Sequence, residues 1–197
     1  MPIDVRKTGA EHVDDLAAVM GRALAVEPMI AWPFRGSSEP DVERATALFR
    51  LLLEVYVEAG VVWEEAERRG CAAWIPPGKI EIFESMDAAT RGPVAELTDD
   101  GGVRYDAFWD WLGGHVPDEP CWFLDMVGVD PAHQGRGIGR ALIQHGLNGV
   151  TAQAAPAFLE TATARNVAYY ERFGFRVVAD EDAPNGGPHV WFMRREP

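Results

Sequence analysis

One short segment, Gln134-Gly135-Arg136-Gly137-Ile138-Gly139, constrains the fold of this chain more than any other. It follows an apolar run, residues 122–129, that predicts a strand, and it opens a pattern that predicts a helix from Ile138 to about Val150. Glycines let the backbone approach a ligand closely, and the first N–H groups of a helix have no partner within the helix. The segment therefore predicts a site for a phosphate group. The alternative is an ordinary glycine-rich loop that caps a helix.

The glycine spacing excludes two common phosphate-binding patterns. A dinucleotide-binding turn needs its third glycine three positions after the second, but Arg140 stands there and Gly139 comes one position too early. A P-loop ends in Gly-Lys-Ser/Thr, whereas this segment continues with Arg140-Ala141. The phosphate ligand therefore belongs to another class.

A second segment, about 30 residues further on, narrows the choice of phosphate ligand. Residues 158–161 predict a short strand, and an amphipathic helix with a glycine after it follows. The helix and its end read Arg165-Asn166-Val167-Ala168-Tyr169-Tyr170-Glu171-Arg172-Phe173-Gly174-Phe175.

The two segments together resemble the GCN5-related N-acetyltransferase (GNAT) family. Val127-Gly128-Val129 resembles the V-x-V strand of that family, and the glycine segment resembles its Q/R-x-x-G-x-G/A turn. Residues 166–175 resemble its N-x-x-A-x-x-Y-E-x-x-G-F segment, with one fewer residue between the alanine and the tyrosine than some members show. A finer resemblance, to puromycin N-acetyltransferase-like members, is carried by residues 119–124, 127–135 and 156–161.

The resemblance implies an α+β fold in a single domain over residues 1–197. We expect a mixed, mostly antiparallel sheet with one parallel, splayed strand pair and with helices on both faces. It also implies acetyl-CoA as the cofactor, with the V-x-V backbone pairing with the pantetheine arm and the turn amides holding the pyrophosphate. The cofactor-binding residues it suggests are Met126, Val127, Gly128, Val129, Gln134, Gly135, Arg136, Gly137, Ile138, Gly139, Arg140, Asn166, Tyr169 and Tyr170.

The resemblance implies that Tyr170 protonates the leaving thiolate. A phenol with a pKa of about 10 suits a thiol with a pKa of roughly 8–9. Tyr169 is the alternative, because adjacent helical residues point about 100° apart and only one can face the sulfur.

Two carboxylates are candidates for the general base. Asp125 is the only charge in the run Cys121 to Val129, and strand alternation predicts that it shares a face with Phe123, Val127 and Val129. Glu160 interrupts the neighbouring strand in the same way. Such carboxylates must be paired or reached by water, or their pKa rises. The alternative is that each is a buried hydrogen-bond anchor.

Aromatic side chains outside the predicted elements suggest an acceptor pocket for a flat or apolar amine. Plain packing beneath long loops is the alternative. The candidates are Trp32, Phe34, Trp109 and Trp111.

The composition limits the classes of partner that we expect the chain to bind. The net charge of -13 argues against a nucleic acid, which needs clustered Lys and Arg. No apolar run approaches the ~20 residues of a membrane span, no metal-ligand cluster is visible, and no secretion signal precedes the first strand. We expect a cytoplasmic protein, either a monomer or a homodimer.

The leading function is acetyl transfer from acetyl-CoA to the primary amine of a small molecule, such as an aminonucleoside or another antibiotic-like compound. A protein or peptide N-terminal acetyltransferase is one alternative. A non-catalytic acyl-CoA-binding module is the other.

The remaining pattern gives the coarse order of elements. It predicts a strand at 3–7, helices at 11–25 and about 40–59, and a hairpin from Val61 to Ile75. A loop with Pro28, Pro33 and Gly36 is expected between the helices. Residues 79–118 show helical stretches interrupted at Gly92-Pro93 and Gly101-Gly102.

Overall fold

The computed structural model describes residues 3–35, 40–79 and 81–197; Met1, Pro2 and Gly36, which entered the sequence predictions, lie outside them. Within the described residues the chain forms seven strands and seven α-helices. The strands are β1 Val5–Lys7, β2 Val62–Glu65, β3 Gly70–Ile75, β4 Trp122–Val129, β5 Ala157–Thr161, β6 Arg176–Asp182 and β7 His189–Arg195. The helices are α1 Val13–Leu24, α2 Pro28–Arg35, α3 Val42–Glu58, α4 Glu81–Leu97, α5 Val103–Gly113, α6 Ile138–Gln153 and α7 Ala164–Glu171.

The strands form one sheet in the order β1-β2-β3-β4-β5-β7-β6. Neighbouring strands run antiparallel except β4 and β5, which run parallel. The prediction of a mixed, mostly antiparallel sheet with one parallel pair is therefore confirmed. Helix α6 is the crossover that joins the parallel strands, as such a connection requires.

Apolar side chains cover both faces of this sheet. On one face, α1 and α3 present Leu16, Met20, Leu48 and Phe49 to the sheet, all at most 2% exposed, and the cluster continues into α4 and α5. On the other face, α6 packs Leu142, Ile143 and Leu147 against Trp74 and Trp122, and Tyr170 of α7 joins that cluster. The two faces place α1–α5 on one side of β4 and α6–α7 on the other.

The sequence predicted a loop around Pro28 and Pro33 and a helix break at Gly92-Pro93, and the structure corrects both predictions. Residues 28–35 form helix α2 and not a loop, because burying Ala31 and Phe34 against the core offsets the cost of Pro33. Helix α4 continues through Gly92-Pro93, with Val94 fully buried just beyond. Tertiary packing therefore overrides local propensity in both helices. The predicted break at Gly101-Gly102 separates α4 from α5 as expected.

None of the helices in the described part of the chain has the length and apolar character that a bilayer crossing requires.

Candidate active site

The parallel strands β4 and β5 separate soon after they begin. They pair only at Trp122 with Ala157 and at Phe123 with Phe158. From Leu124 onward, β4 keeps β3 on one edge and has no β5 partner on the other. Backbone groups on this open edge are available to an extended ligand, because unpaired N–H and C=O groups need a partner.

A β-bulge at Asp125 lies at the point where the strands separate. Ala73 of β3 pairs with Met126, and Trp74 pairs with Leu124, so Asp125 is the extra residue on β4. The bulge interrupts the alternation of side chains along the strand. Asp125 shares a face with Phe123, as predicted, but the prediction that Val127 and Val129 share it is wrong. Phe123 and Met126 pack on the α1–α5 side, whereas Val127 and Val129 pack on the α6–α7 side.

A cavity of about 110 Å³ lies between the separated strands. Four of its lining groups can carry or exchange a proton: the carboxylates of Glu27, Asp125 and Glu160, and the phenol of Tyr170. The described lining residues include no lysine, arginine or histidine. The other lining residues are Leu24, Met29, Ile30, Phe49, Leu52, Trp109, Leu124, Met126, Val127, Thr161 and Asn166.

The two predicted base candidates meet in this cavity. Burial raises the pKa of Asp125 to about 6, against a hydrogen bond with the Tyr56 hydroxyl that lowers the pKa. Burial also raises the pKa of Glu160 well above its usual range, and the nearby charge of Asp125 raises this pKa further. Each carboxylate therefore holds its proton more tightly than in water, which brings Asp125 close to the range of a general base that works near neutral pH.

The adjacent tyrosines of α7 point to different parts of the site. Tyr170 is 9% exposed and lines the cavity, and burial raises the pKa of its phenol. The Tyr169 hydroxyl points toward the glycine turn, since a Cβ added to Gly139 would lie 3.5 Å from its oxygen. The structure thus places Tyr170 with the carboxylates and Tyr169 with the turn. A phenol with a raised pKa stays protonated at neutral pH and remains a proton donor.

The glycine turn is open to solvent at the start of α6. Gly135 and Gly137 have φ angles of +75° and +86°, a region that residues with a Cβ rarely adopt. Gly137 is the N-cap of α6 and supplies no side-chain hydrogen bond, so the first N–H groups of the helix are free for an anion. Arg136 and Arg140 are both exposed beside it. A pyrophosphate group would fit these features, and its binding at these residues stays a prediction.

Two hydrogen-bonding side chains connect the turn and the cavity to the strands. The amide of Gln134 donates to the carbonyl oxygen of Val129 at 3.1 Å, which fixes the turn against the end of β4. The amide of Asn166 donates to the Thr161 hydroxyl at 3.3 Å at the edge of the cavity. Of the predicted cofactor residues, Ile138 is buried in the core, whereas Met126 and Tyr170 are buried but also line the cavity.

The four predicted acceptor aromatics have different surroundings. Trp109 lines the cavity. Phe34 is 2% exposed in the core, which leaves no surface for a ligand. Trp32 packs on Phe108 with ring centroids 6.1 Å apart, and Trp111 packs on Phe192 at 5.8 Å. Neither lines the cavity, so Trp109 alone among the four remains in the candidate acceptor pocket.

Sequence reasoning missed Glu27, which precedes α2. Its carboxylate accepts a hydrogen bond from the Thr163 hydroxyl at 2.7 Å, and Thr163 is the N-cap of α7. This contact joins the segment between α1 and α2 to the start of α7, beside the cavity that Glu27 lines. The sequence does contain a signal for Glu27, a charged residue directly before the apolar stretch Pro28–Phe34. It was missed because that stretch was predicted to be a loop.

The end of β4 is joined to α1 by a charged contact. Asp130 accepts two hydrogen bonds from the guanidinium of Arg22, at 3.0 and 2.6 Å, and one from the N–H of Ala132 at 2.9 Å. The Arg22 charge holds the pKa of Asp130 below its usual range. Asp130 therefore connects α1 to the 3₁₀ turn Pro131–His133 that leads into the glycine turn.

The described residues contain no group of three His, Cys, Asp or Glu side chains placed to hold a metal ion.

Curated relatives of the chain are acetyltransferases. An N-acetyltransferase of Schizosaccharomyces pombe is 24% identical over 180 residues, covering 86% of this chain and 73% of that protein. A mycothiol acetyltransferase of Propionibacterium freudenreichii subsp. shermanii is 39% identical over 150 residues, covering 73% of this chain and 42% of that protein. The chain thus spans less than half the length of the mycothiol acetyltransferases that it matches.

Solved structures show the same fold. The structure titled histone acetyltransferase HPA2 and related acetyltransferase, from Corynebacterium glutamicum, superposes with a TM-score of 0.69 at 19% identity and covers 100% of this chain and 97% of that chain. Residues 72–175, which contain β4, the glycine turn, β5 and α7, match the acetyltransferase (GNAT) family. The chain therefore belongs to the acetyltransferase (GNAT) family, a family of enzymes that use acetyl-CoA as the acyl donor.

Proposed function

We propose that this acetyltransferase acts on the primary amine of a small molecule. The observation that carries this proposal is the cavity between β4 and β5, where Asp125, Glu160 and Tyr170 line about 110 Å³ without a basic side chain among the described lining residues. An acceptor amine arrives mostly as an ammonium, which such carboxylates attract. It must then lose a proton before it can attack an acyl group.

The cofactor is expected to lie along the open edge of β4 and over the glycine turn. The backbone of Val127 and Val129 would bind its extended arm, and the amides of residues 135–139 with Arg136 would bind its pyrophosphate, with Arg140 beside them. Acetyl-CoA supplies an acyl group activated as a thioester. A backbone N–H of β4, at Val127 or a neighbouring residue, would donate to the acyl oxygen and stabilise the negative charge that develops there.

Asp125 and Glu160 would collect the ammonium and accept its proton, directly or through a water molecule. Their raised pKa values favour proton uptake near neutral pH. A cation between them would favour their charged forms and so oppose the effect of burial. Glu27, which also lines the cavity, adds a third carboxylate that favours a cationic acceptor.

Tyr170 would hold the proton that the departing thiolate needs. Its phenol lies in the same cavity as the carboxylates and keeps its proton at neutral pH. Donating that proton at the hydroxyl oxygen would complete the exchange of protons between the amine side and the sulfur side of the cavity.

The size of the cavity favours a small molecule over a peptide N-terminus. A volume of about 110 Å³ admits the amine-bearing end of an acceptor, with Trp109 and apolar side chains around it. The mycothiol acetyltransferases among the relatives carry the name of a small molecule, which supports the same class. The resemblance to puromycin N-acetyltransferase-like members makes aminonucleosides one group of acceptors to include.

Thiol release from acetyl-CoA in the presence of a panel of amines tests the proposal. The panel contains small primary amines, diamines, puromycin and short peptides with free N-termini. We expect turnover with at least one small amine and slower turnover with every peptide. Faster turnover with peptides would favour the N-terminal acetyltransferase, and CoA binding without turnover on any amine would favour the binding module.

A further inference from the structure

Six arginines of this acidic chain form no ion pair with an acidic side chain among the described residues, and two of them, Arg176 and Arg195, donate to backbone carbonyl oxygens instead. Arg22, Arg44 and Arg91 are typical of the majority, since each forms an ion pair with an aspartate. The other four of the six are all exposed, and they lie on the glycine turn, on α6, on α7 and at the C-cap of α7. They are Arg136, Arg140, Arg165 and Arg172.

Two residues of α7 and the residue at its C-cap lie on one side of the helix, which faces the glycine turn. Arg165, Tyr169 and Arg172 are spaced four and three residues apart, which places them on one side of a helix. The position of that side is fixed by Tyr169, whose hydroxyl lies 3.5 Å from the site that a Cβ of Gly139 would occupy. Arg165 and Arg172 therefore flank a tyrosine that faces the turn.

The charges of two helices meet at this tyrosine. Burial raises the pKa of Tyr169, but the positive charges of Arg140 from α6 and Arg172 from the end of α7 both act to lower it. Both guanidinium groups are thus near enough to act on the same hydroxyl. Arg140, Tyr169 and Arg172 form one polar, positively charged surface beside the turn, which we call the α6–α7 basic surface.

This surface exceeds what a pyrophosphate diester requires. The free N–H groups of the α6 N-terminus and Arg136 already oppose the two negative charges of such a group. Like charges placed together without acidic partners repel each other, so the additional arginines favour a further anion. The family cofactor carries such a group, a phosphate monoester on its ribose, with about two negative charges at neutral pH.

We propose that Arg172, together with Arg140 and Tyr169, binds the ribose phosphate monoester of CoA and makes this chain select CoA over its dephosphorylated form. The guanidinium fork of arginine matches phosphate oxygens, and the tyrosine hydroxyl adds a hydrogen-bond donor. The inference rests on the family's use of acetyl-CoA and is independent of the acceptor.

Isothermal titration calorimetry with two ligands, CoA and 3′-dephospho-CoA, tests this inference without any turnover. A charge-assisted hydrogen bond to phosphate corresponds to about tenfold in affinity or more. We expect the wild type to bind CoA at least about tenfold more tightly than dephospho-CoA. Arg172→Gln should lower CoA affinity about tenfold and leave dephospho-CoA affinity within about twofold.

Arg176→Gln is the matched control. Arg176 is also exposed and without an acidic partner among the described residues, but it lies on β6, and its guanidinium donates to the carbonyl oxygen of Phe175 at 3.4 Å. We expect this variant to bind both ligands like the wild type. Thermal unfolding of both variants checks that they fold.

Three results would overturn the inference. The wild type could bind the two ligands equally well, which requires no variant to observe. Arg172→Gln could weaken both ligands by the same factor, which would assign Arg172 to the pyrophosphate or to general attraction. Arg176→Gln could have the same effect as Arg172→Gln, which would reduce the α6–α7 basic surface to a long-range charge effect.

Discussion

The glycine turn and the cavity both depend on β4, but they are built from different parts of the chain. The turn is made of backbone: two glycines with positive φ, the free N–H groups of α6, and the end of a strand. The cavity is made of side chains from α1, the segment before α2, α2, α3, α5, β4, β5 and α7. A binding site made of backbone tolerates few sequences, whereas a site made of side chains can change its specificity by substitution.

Two aspartates on β4 and just beyond it show the same contrast in electrostatic terms. Asp125 lies at the bulge, and burial raises its pKa to about 6. Asp130 follows the last residue of the strand, and the Arg22 guanidinium lowers its pKa. Asp125 is thus suited to exchange a proton, whereas Asp130 is suited to hold α1 against the segment that leads into the glycine turn.

The largest effect is expected from Tyr170→Phe, which removes a proton donor from the cavity and leaves the ring in place. Loss of a general acid lowers the rate by about 10²- to 10⁴-fold. We expect kcat to fall within that range and the Kd of CoA to stay within about twofold. Steady-state kinetics and calorimetry measure the two quantities.

Tyr169→Phe is the control for this prediction, since its hydroxyl faces the turn. It should change the Kd of CoA more than kcat. A Tyr169→Phe variant that loses kcat while Tyr170→Phe keeps it would exchange the roles of the two tyrosines.

The next effect concerns stability and distinguishes the two aspartates. The folded pKa of Asp125 is raised from 3.8 to about 6, so wild-type stability falls as the pH rises from about 4 to about 6 and then levels off. Asp125→Asn removes this cost and should raise the free energy of unfolding at pH 7 by about 1–3 kcal/mol. The gain should vanish below about pH 4, where the aspartate is neutral in both states.

Asp130→Asn should change the free energy of unfolding in the opposite direction. The folded pKa of Asp130 is lowered, so its stabilising contribution is present above the unfolded pKa and is lost as the pH falls through the folded pKa. This variant should be less stable than the wild type at pH 7. Urea unfolding of both variants at pH 4 and pH 7 measures the difference. Destabilisation by Asp125→Asn at pH 7 would contradict the account of the cavity.

These two aspartates also show what the sequence could predict. The turn was predictable because its requirements are local: glycines at fixed spacing, a strand before them and a helix after them. The bulge at Asp125 was not, since it depends on the register between β3 and β4, and an uninterrupted alternation placed Val127 and Val129 on the wrong face.

The acceptor side was less predictable for a related reason. Helix α2 is stabilised by the burial of Ala31 and Phe34 against elements far away in the chain, which overrides the proline in its interior. Glu27 enters the cavity because α2 begins directly after it. Long-range packing thus decided which residues line the acceptor pocket, and a local pattern contains little of that information.

A smaller effect is expected from Gly137→Ala, which tests the backbone nature of the turn. Alanine at a φ of +86° costs about 1–2 kcal/mol, and the strain falls on the residue that caps α6. We expect CoA to bind about tenfold more weakly. Gly78→Ala is the matched control, with a φ of +78° and no neighbouring atom within 4 Å. It should lose similar stability and bind CoA normally.

The smallest effect is expected at the contact between α1 and the segment that leads into the glycine turn. Arg22→Gln removes the ion pair with Asp130 and leaves the hydrogen bond from Ala132 intact. Partly exposed pairs contribute about 0–1 kcal/mol, so the Kd of CoA should rise by no more than about fivefold. Arg68→Gln is the control. It breaks the exposed ion pair with Asp15, which lies on α1 as Arg22 does, and it should leave the Kd of CoA unchanged. Equal effects would show that Arg22 does not position the turn.

The central claim is that the cavity between β4 and β5 handles the protons of the acceptor while the turn holds the cofactor. The most direct test combines Asp125→Asn with Glu160→Gln and measures single-turnover acetyl transfer to the best amine of the panel, together with the Kd of CoA. We predict a rate at neutral pH that is at least about 100-fold lower, with the Kd within about twofold of the wild type. A double variant that transfers acetyl groups at the wild-type rate would contradict the claim.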